Sequence, residues 1–398
     1  MESNMLVIIH GNIKTMEDQD YADGYLRIEQ GKITAVGDMK ECDLGSFSAD
    51  DGTQVIDAKG SLVMPGIIEA HCHMGITEEK KGMEGDDCNE TVDPVTPHLR
   101  AIDAINPMDD AFHDALKAGI TAAMVGPGSS NVVGGQFAFV KTHGRSIDRM
   151  IVKAPAAMKV AFGENPKVNY SGQNISPVTR MSIAAKLREE LTEAREYERK
   201  INENPETTPD FRYECWLPVL RGEIPLKAHA HRADDILTAV RIAKEFGLKM
   251  TIDHCSEGHL IIEELKEAGF PAIVGPDMAS RNKIEVRNMA FKTAGLLSKN
   301  GILTAVTTDH PVSKIQFLPI CAGLAVKEGM SMEDGFRSIT INAAKICGVD
   351  DRLGSLAAGK DGDIAIYNGN PMEVFTKTLC TIIEGKVVYY DEESGLLC

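Results

Sequence analysis

Residues 62–75 read LVMPGIIEAHCHMG, an apolar run that ends in two histidines. Leu62, Val63, Met64, Ile67 and Ile68 form the pattern of a buried strand, and Gly75 opens its far end into a loop. Side chains alternate across a strand, so His71 and His73 point to the same side, where two imidazoles supply half of a typical metal site. Taken alone, the pair fits a core histidine beside a loop histidine equally well. The rest of the chain decides.

Outward from this strand, apolar strands alternate with amphipathic helices. Strands are predicted at 121–125, 137–141, 156–161, 226–229, 249–252, 272–274 and 303–307, making eight with the strand from Leu62. Helices are predicted at 109–117, 234–245, 259–268 and 284–299, the last three stopping near Gly247, Gly269 and Gly301. This α/β pattern over residues 61–354 predicts a (β/α)8 TIM barrel, although 137–141 fits a hairpin insertion as well as a barrel strand. Both ends of the chain lack a helical period. Short strands at 5–9, 25–29, 33–36 and 53–56, and at 363–367, 381–384 and 387–390, predict one small β domain built from residues 1–60 and 355–398. The charge-laced segment 181–204 reads as a solvated surface helix.

Composition excludes several classes. A net charge of −17 over 398 residues gives no basic face for tracking nucleic-acid phosphates. No run approaches the roughly 18 to 20 apolar residues of a membrane helix. The nine cysteines are odd in number and form no CxxC pair, so they read as reduced thiols. Glu2 stands where a signal peptide would be positive, and the apolar run at 5–9 is too short for its hydrophobic core, so a cytoplasmic protein is expected.

In such a barrel the chemistry lies at the C-terminal ends of the strands. There the sequence places His71 and His73, then Lys159 in AAMKVAFGENPK, His229 and His231 in LKAHAHR, His254 in MTIDHC, and Asp309 with His310 in AVTTDHP. Neutral imidazoles and a carboxylate suit zinc and similar divalent ions, which lower the pKa of a bound water to about 7. Asp309 then serves as the general base that passes a proton to a leaving nitrogen. Each residue also has a plainer reading. His254 fits a hydrogen-bonded core histidine, Asp309 a turn cap, and Lys159 a partner of Glu164 or a substrate contact. His231 and His310 read as residues behind the ligands or against substrate, and Cys72 and Cys255 as buried thiols facing away. Specificity is expected from the loops 76–106 and 163–204. The acidic stretch 78–93 disfavours anions, whereas Arg180, Arg221, Arg232 and Lys167 would hold a carboxylate.

The motifs MPGIIEAHCHMG, KAHAHRADDI, TIDHCSEGH, AVTTDHP and LGSLAAGKDGDIAIYNGNP resemble the amidohydrolase superfamily over nearly the whole chain, specifically its imidazolonepropionase-like and prolidase-like branch. The resemblance implies a distorted (β/α)8 barrel with a β-sandwich made from both termini. It implies one metal, most often zinc, on His71, His73 and Asp309, with Asp309 also the acid/base residue. His229 and His254 would hold a second metal or contact substrate, and Lys159 would be carbamylated in a two-metal centre. The implied activity is hydrolysis of a carbon–nitrogen bond in a small amide, lactam or N-acyl compound by metal-activated hydroxide. A one-metal heterocycle deaminase, with His254 polarising the attacked carbon, and a non-catalytic scaffold are the alternatives. The implied partners are a small-molecule substrate and further copies of the chain in a homo-oligomer, with no nucleic acid and no membrane.

Overall fold

The computed structural model describes residues 5–43, 52–79 and 82–396; Glu2 and part of the acidic first loop lie outside them. Its first correction falls on the apolar run at 62–75, which is two strands. Strand β1 is Met5–Ile13, β2 Tyr21–Glu29, β3 Lys32–Asp38 and β4 Thr53–Asp57. Strand β5, Leu62–Pro65, pairs parallel with β1 through Asn12 and Ile13 and so belongs to the terminal sheet. The barrel starts only at β6, Ile67–Cys72. Gly66 makes the corner, where a Cβ atom would sit 2.1 Å from Thr121 Oγ1. An unbroken apolar run hides such a break, because both strands are buried.

The barrel continues through β7 Ile120–Val125, β8 Val133–Lys141, β9 Ile151–Ala161, β10 Leu226–Ala230, β11 Met250–His254, β12 Ala272–Val274 and β13 Thr304–Val306, paired in chain order. All eight predicted strands are present. The second correction concerns direction: β8 runs antiparallel to both β7 and β9. Only the short loop after Val125 separates β7 from β8, too little chain for a crossover that returns to the same end of the sheet. The barrel is therefore distorted on this side and parallel elsewhere.

No strand ladder joins β13 to β6; side chains close the seam. Glu69, fully buried on β6, accepts hydrogen bonds from Thr307 Oγ1 at 2.6 Å, Thr308 Oγ1 at 2.6 Å and Thr308 N at 2.9 Å. Thr307 Oγ1 also lies 2.7 Å from the His71 carbonyl. Burial raises the Glu69 carboxyl to about 6 even against these donors.

Strands β14 Ile364–Tyr367, β15 Thr378–Ile383 and β16 Lys386–Tyr390 return to the terminal sheet, where β14 pairs antiparallel with β5. The two ends of the chain thus meet across Leu62–Pro65 in one continuous sheet. Lys141, at the end of β8, fixes this sheet to the barrel. Its ammonium lies 3.0 Å from Asp361 and 2.7 Å from Asp363, and Asp361 also holds Lys32 and Arg352.

Two helices differ from expectation. The segment 284–299 is a single turn, Ile284–Val286, followed by a helix at Lys292–Lys299. Helix Arg180–Glu203 is charged yet not solvated all round: Ile183, Leu187, Leu191 and Ala194 are buried, and Glu190 accepts from Arg212 and from Trp216 Nε1. Among the described residues no helix is long and apolar enough to cross a membrane, and the described cysteines are all free.

Candidate metal centre

Register sets which side chains enter the barrel. On β10, Lys227 lies opposite Lys159 and Thr251, and His229 opposite Asp253. Period-two alternation then sends Lys227, His229 and His231 inward together. On β11 alternation would send Asp253 and His254 to opposite faces, yet both reach His71: Asp253 Oδ2 accepts from His71 Nδ1 at 2.7 Å, and the His254 ring centroid lies 5.0 Å from that of His71. The left-handed backbone at His254, φ 73°, turns its side chain inward. Asp309, with φ 51°, leaves β13 the same way, its amide donating to Thr307 Oγ1.

The structure gathers His71, His73 and Asp309 into one buried group whose ligand atoms all lie within 4.8 Å of one another. His71 Nε2 is 3.5 Å and His73 Nε2 3.2 Å from Asp309 Oδ1, an oxygen with no well-aligned hydrogen bond. The other ring nitrogens are spoken for. His71 Nδ1 donates to Asp253, His73 Nδ1 to the Gly126 carbonyl at 2.7 Å, and His254 Nδ1 to the Gly275 carbonyl at 2.9 Å. Each bond makes Nδ1 the donor and turns Nε2 toward the centre, where Lys159 faces that of His71 and Asp309 that of His73. Bare imidazole nitrogens beside an unpartnered buried carboxylate oxygen are the donor set of a divalent ion. Lys159, fully buried, places its amine 3.3 Å from His71 Nε2 rather than beside Glu164, whose carboxylate instead accepts from the Glu285 amide while its own amide donates to the Glu285 carboxylate.

Electrostatics agree with this grouping. Burial, then Lys159, lowers His71 to about 3, and burial with neighbouring imidazoles keeps His229 and His254 well below their usual value. These rings are neutral, as ligands must be. Burial would raise Asp309, but His254, His73 and His71 hold it below the usual carboxylate range. Burial also lowers the Lys159 amine, to about 8. His73 is the exception: burial would lower it, but Cys88 and Asp309 raise it to about 10. A cation binding there displaces that proton.

Sequence reasoning missed four residues. Asp253 orients His71 and is itself 3.1 Å from Lys227 Nζ. Cys88 contacts His73. Glu285 keeps Oε1 unpartnered 3.8 Å from His229. Lys283 lines the cavity above the site, about 350 Å³, with Asn89, Ser129, Asn165 and Asn282. The expected cations do not reach it. Arg180, Arg221 and Arg232 are engaged by Asp235, Glu198 and Asp234, and neither they nor Lys167 line the cavity. Asp253 had a signal in the sequence, its inward register on β11; Cys88 and Lys283 sit on loops, and Glu285 on the short turn Ile284–Val286, whose paths periodicity does not encode. Asp253→Asn is expected to weaken metal binding about 10- to 100-fold, measured by competition with a chromogenic chelator. Unchanged affinity would show that His71 needs no carboxylate behind it.

Comparison with known proteins agrees with this geometry. The model of the amidohydrolase family matches residues 62–388. A solved amidohydrolase from Thermotoga maritima superimposes with a TM-score of 0.92 at 36% identity, covering 97% of this chain and all of that one. Amidohydrolase tasK of Hapsidospora irregularis is 27% identical over 92% of this chain, which spans 40% of that protein's length. An imidazolonepropionase of Alkaliphilus metalliredigens is 22% identical over 87% of this chain and 84% of its own. With the strand-end histidines, the aspartate and the barrel in place, the chain belongs to the amidohydrolase family.

Proposed function

We propose that the protein hydrolyses a carbon–nitrogen bond of a small polar amide, lactam or N-acyl compound, using zinc held by His71, His73 and Asp309. The observation that carries this reading is the buried group of those three ligands beside a cavity of about 350 Å³. Bound there, the ion supplies Lewis acidity and lowers the pKa of a water. The chain's own residues do the rest. Asp309, deprotonated at neutral pH, faces His71 and His73 through Oδ1 and keeps Oδ2 on the His254 side, from which it accepts the proton and returns it to the leaving nitrogen. His254 sits across from it to orient the carbonyl under attack. Lys159 is buried beside His71 with its amine eased toward neutrality, a state ready for carbamylation that would turn a cation into an oxygen ligand.

The cavity is small, at the lower end of the usual ligand range, and lined by amide and hydroxyl side chains. Lys283 and Asp86 both line its wall, so a substrate carboxylate would lie against Lys283 and away from Asp86. The test is turnover by zinc-loaded protein against a library of small amides, lactams and N-acyl amino acids, abolished by a chelator and restored by zinc. A metal-bound protein inert across that library would reject the reading. Ammonia release from a heterocycle would move it to the deaminase alternative.

A further inference from the structure

The floor of the barrel carries a cavity that the metal chemistry does not use. It holds about 540 Å³ and is lined by Pro225, Lys249, Pro271 and Leu303, the residues that immediately precede β10, β11, β12 and β13. It therefore opens at the N-terminal ends of the strands, opposite the histidines and Asp309.

Three ammonium groups, those of Lys153, Lys249 and Lys345, line this cavity against one carboxylate, Glu223. Among the described residues none of the three has an ion-pair or side-chain hydrogen-bond partner, in a chain whose 59 acidic residues outnumber its 42 basic ones. Surface arginines elsewhere are paired: Arg188 with Glu245, and Arg199 with Glu196 and Glu203. The reversal of β8 adds to the imbalance. Its last residue, Lys141, pairs with Ala122 near the start of β7, so the link 142–150 runs across the same end of the barrel. That link brings Arg145 and Arg149, both exposed and likewise without an ion pair among the described residues, against the single carboxylate of Asp148. A basic end on an acidic protein draws anions toward it.

Helix ends explain these cations only one at a time. Lys345 lies in the last turn of the helix Ile341–Cys347, and a Cβ atom on its Gly348 cap would sit 3.5 Å from Lys153 Nζ, positions where a cation offsets the helix dipole. Dipole compensation requires no space between the cations, yet here three of them surround one open cavity. The same cavity has an apolar wall, with Phe270 half-buried and Leu303 exposed in it. Its volume lies within the usual range for small-molecule sites.

We propose that the barrel floor binds a small organic phosphate, its phosphate among Lys153, Lys249 and Lys345 and its apolar body against Phe270 and Leu303. Lysine suits this ligand as a point charge that phosphate oxygens approach from any side. The site is separate from the metal centre and does not depend on the proposed reaction.

The experiment is isothermal titration calorimetry of the full chain at low ionic strength with AMP, phenyl phosphate and inorganic phosphate as probes. Both organic phosphates are expected to bind more tightly than inorganic phosphate, and to weaken as salt is raised. In the double variant Lys249→Gln, Lys345→Gln, whose two side chains are exposed, affinity should fall at least about tenfold, with circular dichroism confirming the fold. His73→Asn should bind as wild type does. Failure of both organic probes to bind below about 1 mM would overturn the proposal. So would binding that is lost in His73→Asn and kept in the double variant, which would put the phosphate on the metal centre. Inorganic phosphate binding as tightly as AMP would refute the apolar half of the site. None of these results bears on hydrolysis of the amide library, so the two readings fail separately.

Discussion

Asp309→Asn is expected to lower turnover by about 10²- to 10⁴-fold at saturating substrate and zinc. The substitution preserves shape, so the backbone that places the residue, with its left-handed φ of 51° and the bond from its amide to Thr307, stays intact. Lost are a negative ligand facing His71 and His73 and the only carboxylate of that group, hence the proton acceptor. The measurement is kcat on the substrate identified from the amide library, with zinc content determined on the same sample. A variant that keeps its zinc and more than about a tenth of wild-type kcat would mean that another group moves the proton.

Lys141→Met is expected to destabilise the protein by about 3 to 5 kcal/mol at neutral pH, the usual consequence of leaving buried charge uncompensated. Lys141, Asp361 and Asp363 are all buried, and Asp363 has no other cation within ion-pair distance among the described residues. The pH dependence carries the sign. Burial would raise Asp361, but Lys141, Lys32 and Arg352 bring it to about 2, below its unfolded value of about 4. A depressed folded pKa stabilises above the unfolded pKa, so this contribution is complete at neutral pH and disappears as pH falls from about 4 toward 2. Burial acts oppositely on Asp363, which stays raised in spite of Lys141. The stability gap between wild type and variant, read from urea unfolding, should therefore be widest near neutrality and shrink below about pH 4 as the carboxylates protonate. A gap independent of pH would assign the loss to packing of the lysine stem.

The site was legible where alternation and barrel geometry suffice. His71, His73 and His229 follow from strand register alone. His254 and Asp309 were found as strand-end residues, although what turns them inward is a left-handed backbone that no side-chain pattern announces. His231 was visible in HAH, two residues after His229 on the same face, but its approach to His254 depends on the β11 loop. Lys283 and Cys88 arrive on loops and had no periodic signal, and Glu285 lies in the single turn Ile284–Val286 that replaces the start of the expected helix. In the fold, strand existence was legible and strand partnership was not. Leu62–Pro65 looked continuous with β6 because burial in two different sheets produces the same apolar run. The reversal of β8 was readable in principle from the brevity of its link to β7.

The carboxylate that closes the barrel seam couples assembly order to metal loading. Glu69 is separated by 238 residues from Thr307, and the same oxygen that accepts from Thr307 also accepts from the His71 amide. The seam therefore cannot lock until β13 has been made, some 230 residues after His71 and His73. The three residues proposed as metal ligands come together only when β13 docks on β6.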